Sequence, residues 1–311
     1  MNNILAPIVI FTYRRDDVKK VINSLLKNEL SKQTDLIIYS DGNKNQDDLK
    51  DIKNVRKYLR TISGFKSISI FESQVNKGLA KSIINGVTET INKYDKIIVL
   101  EDDLIVSKDF IQFMNEGLDY YEKTENIWSI SGYAPNLPYM KDYDKDLYLA
   151  LRSSSWGWAS WKDRWNKIDW EINDFEQIKN SKELQNKFNQ GGNDLYKMLE
   201  LQMLGKIDSW AIRWCYNQYT FNQYTVYPRL SKIINDGFED DKGTHNNTAN
   251  DKWKVKANNN SIKFIDLKID KDIIKDFKQY HDLSTFTKIG YFLRKSGGYS
   301  YAKKILKVFK K

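Results

Sequence analysis

The sequence predicts an α/β protein whose mostly parallel sheet is covered by helices on both faces. Three observations in its first third predict this. Short runs rich in β-branched residues recur there, segments with helical spacing separate them, and polar residues gather just past the ends of the runs.

The elements follow in order. Pro7–Thr12 is an apolar run that reads as a buried strand. From Arg15 to Leu30, Val18, Val21, Ile22, Leu25 and Leu26 fall on one helical face. Leu36–Ser40 is a second strand, ending at Asp41-Gly42, and a charged helix is expected from Asp47 to Ser63. Ser67–Phe71 is a third strand and Leu79–Tyr94 another helix. Lys96–Leu100 is the fourth strand, and Glu101-Asp102-Asp103 closes it. In open parallel sheets a ligand lies beyond the carboxyl ends of the strands. Thr12-Tyr13-Arg14, Asp41-Gly42 and the acidic triplet all fall there, which points to a nucleotide site.

The second half has a different character. Residues 145–230 carry Trp156, Trp158, Trp161, Trp165, Trp170, Trp210 and Trp214. Residues 239–260 are polar and read as a mobile loop. Ile289–Lys311 mixes aromatic and aliphatic residues with seven basic ones. This tail suits either an anionic membrane surface or a packed helix with a solvated lysine face.

Composition removes several classes of function. Of 311 residues, one is cysteine and two are histidine, so disulfides, thiolate metal clusters and multi-histidine sites are excluded. A metal would be held mostly by carboxylates, which suits Mg²⁺ or Mn²⁺. The opening lacks the basic start of a secretory leader, and no apolar run approaches the ~20 residues of a membrane span. A cytoplasmic protein is expected. The formal charge of +9 is spread along the chain, and no nucleic-acid-binding motif accompanies it.

The triplet carries the strongest chemical signal. Three carboxylates at one strand end repel one another unless a cation compensates, although a solvated, helix-capping terminus is the plainer reading. The triplet, followed by Asp109-Phe110 at a helix start, resembles the metal-binding segment of GT-A nucleotide-sugar glycosyltransferases. The similarity is to N-acetylglucosaminyltransferase I and to bacterial polysaccharide and lipopolysaccharide transferases. Phe11–Arg14, Ser40-Asp41-Gly42, Asn76–Ala80 and Trp128–Tyr133 resemble further family segments in the same order, over roughly residues 5 to 245.

The resemblance implies a GT-A domain over 1–270, with a nucleotide-sugar half at 1–125 and an acceptor half at 126–270. A basic helical extension fills 271–311. It implies that Asp103 binds Mn²⁺ or Mg²⁺, that Asp102 lies near ribose and that Glu101 faces the donor sugar. Asp41 would meet a uracil-like base. Thr12, Tyr13 and Arg14 would lie beside the base or phosphates, and Lys77 near ribose or diphosphate, unless it is simply a solvated loop lysine. Trp156 and Gly157 match a glycine-aromatic segment beside the sugars, though core packing is the ordinary role of a tryptophan. His245, in a Gly-Thr-His string, would complete the metal shell. Asp208 would be the catalytic base of an inverting enzyme, or only the cap of the helix after it.

The implied activity moves a sugar from a nucleotide donor, expected to be UDP-linked, to a bacterial surface glycan or lipid-linked saccharide. Peripheral contact with the inner membrane is compatible with it. Two alternatives stay open. A sugar nucleotidyltransferase would need a glycine-rich loop after the first strand, and the sequence has none there. A basic glycan- or nucleic-acid-binding protein would fit the net charge.

Overall fold

The computed structural model describes residues 4–237 and 253–283. Ten strands among the described residues run β1 Ile8–Thr12, β2 Asp35–Ser40, β3 Ser67–Glu72, β4 Lys96–Glu101, β5 Leu104–Val106, β6 Ile127–Ser131, β7 Leu147–Ala150, β8 Trp158–Trp161, β9 Tyr224–Pro228 and β10 Ile233–Asn235. The helices among the described residues are α1 Val18–Leu25, α2 Leu49–Leu59, α3 Leu79–Tyr94, α4 Phe110–Tyr121, α5 Lys162–Trp165, α6 Phe175–Asn180, α7 Lys182–Phe188, α8 Leu195–Met203, α9 Trp210–Thr220 and α10 Lys271–His281.

Eight strands form one mixed sheet in the order β3-β2-β1-β4-β8-β6-β9-β7. The first four are parallel, as their helical crossovers require. Strand β8 enters antiparallel beside β4, while β6 and β9 are again parallel to each other. Strands β5 and β10 make a small antiparallel ladder just past the triplet, pairing Asn235 with Leu104.

Alternation along the strands divides the core. Ile8, Ile10, Leu36 and Ile38 pack with Val18, Val21 and Ile22 of α1, Val55 of α2, and Phe110 and Met114 of α4. Val9, Phe11, Ile37 and Val99 face the other way, against Ile83 and Val87 of α3 and Trp210 and Trp214 of α9. Both faces are therefore covered, and burying both is why β1, β2 and β4 read as apolar runs, while the edge strand β3 is partly exposed.

Most of the tryptophans are core. Trp128, Trp158, Trp165 and Trp214 are fully buried, with the Trp158 and Trp214 rings 4.3 Å apart. Helix α10 buries Ile273 and Phe277 against Tyr148 and Tyr227 of the outer strands.

Two expectations change in detail. The short strand β5 fills the interval between triplet and helix, which lacks a long apolar run and gave no strand signal. Part of the polar stretch 239–260 is held: the fully buried Lys232 ammonium donates to Asp109 (2.5 Å) and to the carbonyls of Asn258 (3.1 Å) and Asn260 (2.9 Å). A buried ammonium needs such acceptors.

Candidate active site

Strands β2 and β4 flank β1, so the sheet winds outward from β1 in both directions. The crevice beyond β1 and β4 is the switch point at which such sheets bind ligands. Thr12 and the triplet meet there. Thr12 Oγ1 donates to Asp102 Oδ2 at 2.9 Å, and the Tyr13 N–H donates to the same oxygen at 3.2 Å. Arg15 Nη1 donates to Asp103 Oδ2 at 3.2 Å.

The charges are strained by their setting. Burial, then the neighbouring Asp103 and Asp102, pushes the Glu101 carboxyl up to about 8. Burial and Asp103 push Asp102 to about 6, against the pull of its bonds from Thr12 and Tyr13. Burial also raises Asp103, while the Arg15 charge opposes the rise. Asp103 Oδ1 is buried with no hydrogen-bond partner among the described residues. Such an atom asks for a donor or a cation.

Those donors fit a divalent ion of one kind. Among the described residues no group of three or more His, Cys, Asp and Glu side chains can enclose a metal. Mg²⁺ and Mn²⁺ shared with substrate phosphates need only one or two protein carboxylates. The orphaned Asp103 oxygen meets that need.

The other expected residues fall into distinct groups. The Tyr13 hydroxyl donates to Asp48 (2.6 Å) and accepts from the Lys44 N–H (2.8 Å), and Arg14 also pairs with Asp48. Asp41 is surrounded by the chain's own donors: the N–H groups of Gly42 (2.9 Å), Lys77 (2.9 Å) and Gly78 (3.0 Å) and the Asn76 amide (3.2 Å). Its carboxylate organises the 76–78 turn at the start of α3, where Gly78 takes φ +78°. The Lys77 side chain is exposed at that turn.

Gly157 joins the second half to the crevice. It has φ +59°, and a Cβ there would lie 2.0 Å from Ile233 Cδ1 and 3.0 Å from Leu100 Cδ2, one residue before the triplet. Trp156 is half-buried and packs edge to face on Tyr133 (centroids 4.7 Å apart) and Trp253 (5.6 Å).

Asp208 is 69% exposed, and Arg213 Nη2 lies 3.5 Å from its carboxylate. It is not the cap of α9; the Ser209 hydroxyl accepts from the Ile212 N–H and does that work. His245 lies outside the described residues.

Sequence reasoning missed three neighbours of the site. Arg15 stands one residue past the strand-end group Thr12–Arg14, and its adjacency was the available signal. Gly237 lies so near the triplet that a Cβ would sit 2.3 Å from Asp103 Oδ2 and 3.0 Å from Arg15 Nη1. Asp48 sits in a polar loop, and nothing in the sequence marks it. A fourth group, Asp194, is held bidentate by Arg152 (2.7 and 2.9 Å) on the segment that leads into Trp156 and Gly157.

No family model matches the chain, and no curated protein matches it. Solved structures similar to it include a mannosyltransferase from Pyrobaculum calidifontis in complex with GDP-Man and Mn²⁺. That likeness has a TM-score of 0.36 and 8% identity, over 51% of this chain and 44% of that one. TarS of S. aureus gives a TM-score of 0.39 and 10% identity, over 74% of this chain and 36% of that one. The chain thus spans less than half the length of either. Likeness at this level carries no functional weight, and function rests on the residues themselves.

Proposed function

We propose that the chain is a metal-dependent glycosyltransferase that takes its sugar from a nucleotide donor, a UDP-sugar first among the candidates. The observation that carries this reading lies at the adjoining carboxyl ends of β1 and β4. There a desolvated acidic triplet with one unpartnered oxygen is tied to the end of β1 through Thr12 and Asp102.

Each residue has a definite task in this reading. Asp103 holds the divalent ion, which when bound stabilises the departing diphosphate. Thr12 and the Tyr13 N–H fix the Asp102 carboxylate towards the ribose side. Glu101 faces the donor sugar. Asp41 holds the 76–78 turn, which presents Lys77 towards the nucleotide. His245 is proposed as the remaining protein ligand of the ion. Trp156 offers a half-buried ring beside the sugar path. The acceptor is a glycan or lipid-linked saccharide.

An inverting transfer needs one carboxylate to take the acceptor's proton. Asp208 is proposed for that role, since its exposure leaves it open to an acceptor hydroxyl. A second carboxylate competes with it. Asp194 is buried and already ionised by Arg152, which holds its pKa low despite burial, and it adjoins the loop that reaches the triplet through Gly157. Asp208 is the more exposed of the two, and Asp194 is the one tied through Arg152 to the segment that leads into Trp156 and Gly157.

The test is calorimetric titration of UDP with and without Mn²⁺, on the wild type and on Asp103→Ala. Metal-dependent binding that disappears in the variant supports the reading. Absence of binding by UDP, GDP and CMP alike sinks it. Slow hydrolysis of the matching sugar nucleotides then separates the bases. Asp208→Asn or Asp194→Asn should lower turnover by about 10²- to 10⁴-fold, whichever is the base.

A further inference from the structure

We propose that Arg15 is the built-in counter-cation of the acidic triplet, giving up Asp103 to a divalent ion and turning to a donor phosphate in exchange. This rests on the glycosyltransferase reading and adds to it a mechanism for coupling metal and donor.

The observation is an unpartnered carboxylate oxygen on Asp103 beside a guanidinium that Asp17 also holds. Arg15 and Asp103 are joined by one contact, Nη1 to Oδ2 at 3.2 Å. On the carboxylate, Oδ1 is buried and accepts no hydrogen bond among the described residues. On the guanidinium, Nη2 is buried and donates none there, although it lies 2.8 Å from Asp17 Oδ2 in ion-pair range. An acceptor without a donor thus stands beside a guanidinium whose charge is shared between two carboxylates, Asp17 and Asp103. The single contact with Asp103 does not reach Oδ1. A cation would satisfy that oxygen, and a phosphate oxygen would take the Nη1 donor released from Asp103; a metal diphosphate brings both.

The surroundings suit an exchange. Arg15 is also held by Asp17, with Nε donating to Oδ2 at 2.9 Å, so leaving Asp103 does not strand the guanidinium. The arginine is 13% exposed and Asp103 17%, so the pair is weakly screened. Asp103 is itself fixed from the main chain, its carbonyl accepting from the Asp236 N–H at 2.9 Å. Backbone at Gly237 lies against both side chains, and only glycine allows that approach. The carboxylate is therefore held in place while its arginine partner has a second anchor. A fork of donors with fixed geometry is also well shaped to take two phosphate oxygens.

Competition for Asp103 predicts a reversal of sign. Without nucleotide, Arg15 opposes the metal, so Arg15→Gln should bind Mn²⁺ more tightly than the wild type, by about fivefold. With UDP or GDP present, Arg15 helps, so the same variant should bind the nucleotide in the presence of Mn²⁺ about tenfold more weakly. Arg15→Lys keeps the charge and should follow the wild type in the first measurement while losing part of the second. Both can be read by calorimetry and by the electron paramagnetic resonance of free Mn²⁺, with thermal unfolding to confirm that each variant folds.

Other outcomes overturn the proposal in identifiable ways. Unchanged Mn²⁺ binding in Arg15→Gln, with weaker nucleotide binding, leaves Arg15 a simple phosphate ligand. Equal weakening of both makes it a structural support. If Mn²⁺ binds neither the wild type nor any variant, with or without nucleotide, the metal reading itself falls and takes the exchange with it. If instead Mn²⁺ binding is lost in Asp103→Asn but indifferent to Arg15, the metal reading stands and the exchange alone fails.

Discussion

Thr12 and Asp102 lie 90 positions apart in sequence and share a hydrogen bond of 2.9 Å at the mouth of the crevice. Thr12 is 5% exposed, so water does not replace the bond freely if it is lost. Thr12→Val keeps the shape and removes the donor. It should cost about 1–3 kcal/mol at pH 8, where Asp102 is ionised. The loss should shrink near pH 5, below the pKa of about 6, where the carboxyl is neutral. Urea unfolding of both proteins at the two pH values checks this.

The raised carboxyls make stability depend on pH in an unusual direction. Glu101 and Asp102 have folded values of about 8 and 6, above their ordinary 4.5 and 3.8. The folded chain therefore binds more protons than the unfolded one between those limits, and its stability falls as pH rises. In chelator, the thermal midpoint should drop steadily from about pH 4 to above pH 8. Glu101→Gln should flatten the upper part of that decline and raise the midpoint at pH 8. Mn²⁺ should do the same in the wild type. A midpoint that rises with pH in chelator contradicts the buried placement of the triplet.

Gly157 is a point of mechanical contact between the two halves of the chain. Gly157→Ala places a methyl 2.0 Å from Ile233 Cδ1 on a backbone with φ +59°. The isoleucine tip can move, but the backbone conformation remains costly. A destabilisation of about 2–4 kcal/mol is expected, and chemical denaturation measures it.

Asp41 accepts from three backbone N–H groups, so exchanging one carboxylate oxygen for an amide sets donor against donor. Asp41→Asn should cost about 2–3 kcal/mol. It should also speed amide hydrogen exchange at Lys77 and Gly78 by more than the change in global stability accounts for. Exchange at those two amides that follows global stability alone would show that the carboxylate does not hold the turn.

Strands β1, β2 and β4 were legible because both of their faces are buried, which leaves an apolar run with no alternation to misread; the edge strand β3 is partly exposed and alternates serine with isoleucine. The strand-end residues were legible for the same reason: where Thr12, Asp41 and Glu101 interrupt such runs, the interruption marks the carboxyl edge of the sheet, where the site is proposed. The second half was harder. Trp158 and Trp214 fill a core, yet their chemistry also suits a sugar surface, and only burial decides between the two. Gly237 reaches Asp103 through a ladder that pairs Asn235 with Leu104, a register no local pattern encodes. Lys232 reads as one more lysine of a basic chain until its four oxygen partners on Asp109, Asn258 and Asn260 are seen.

Strand β4 lies between β1 and β8, and β8 comes from the tryptophan-rich half. The half proposed to bind the nucleotide is therefore not a detachable module. A fragment ending near residue 125 would carry β4 as a bare edge of buried Ile97, Ile98, Val99 and Leu100, an invitation to pair with a second copy. Chimaeras built from this chain would do better to keep β8 with the first four strands and join outside it.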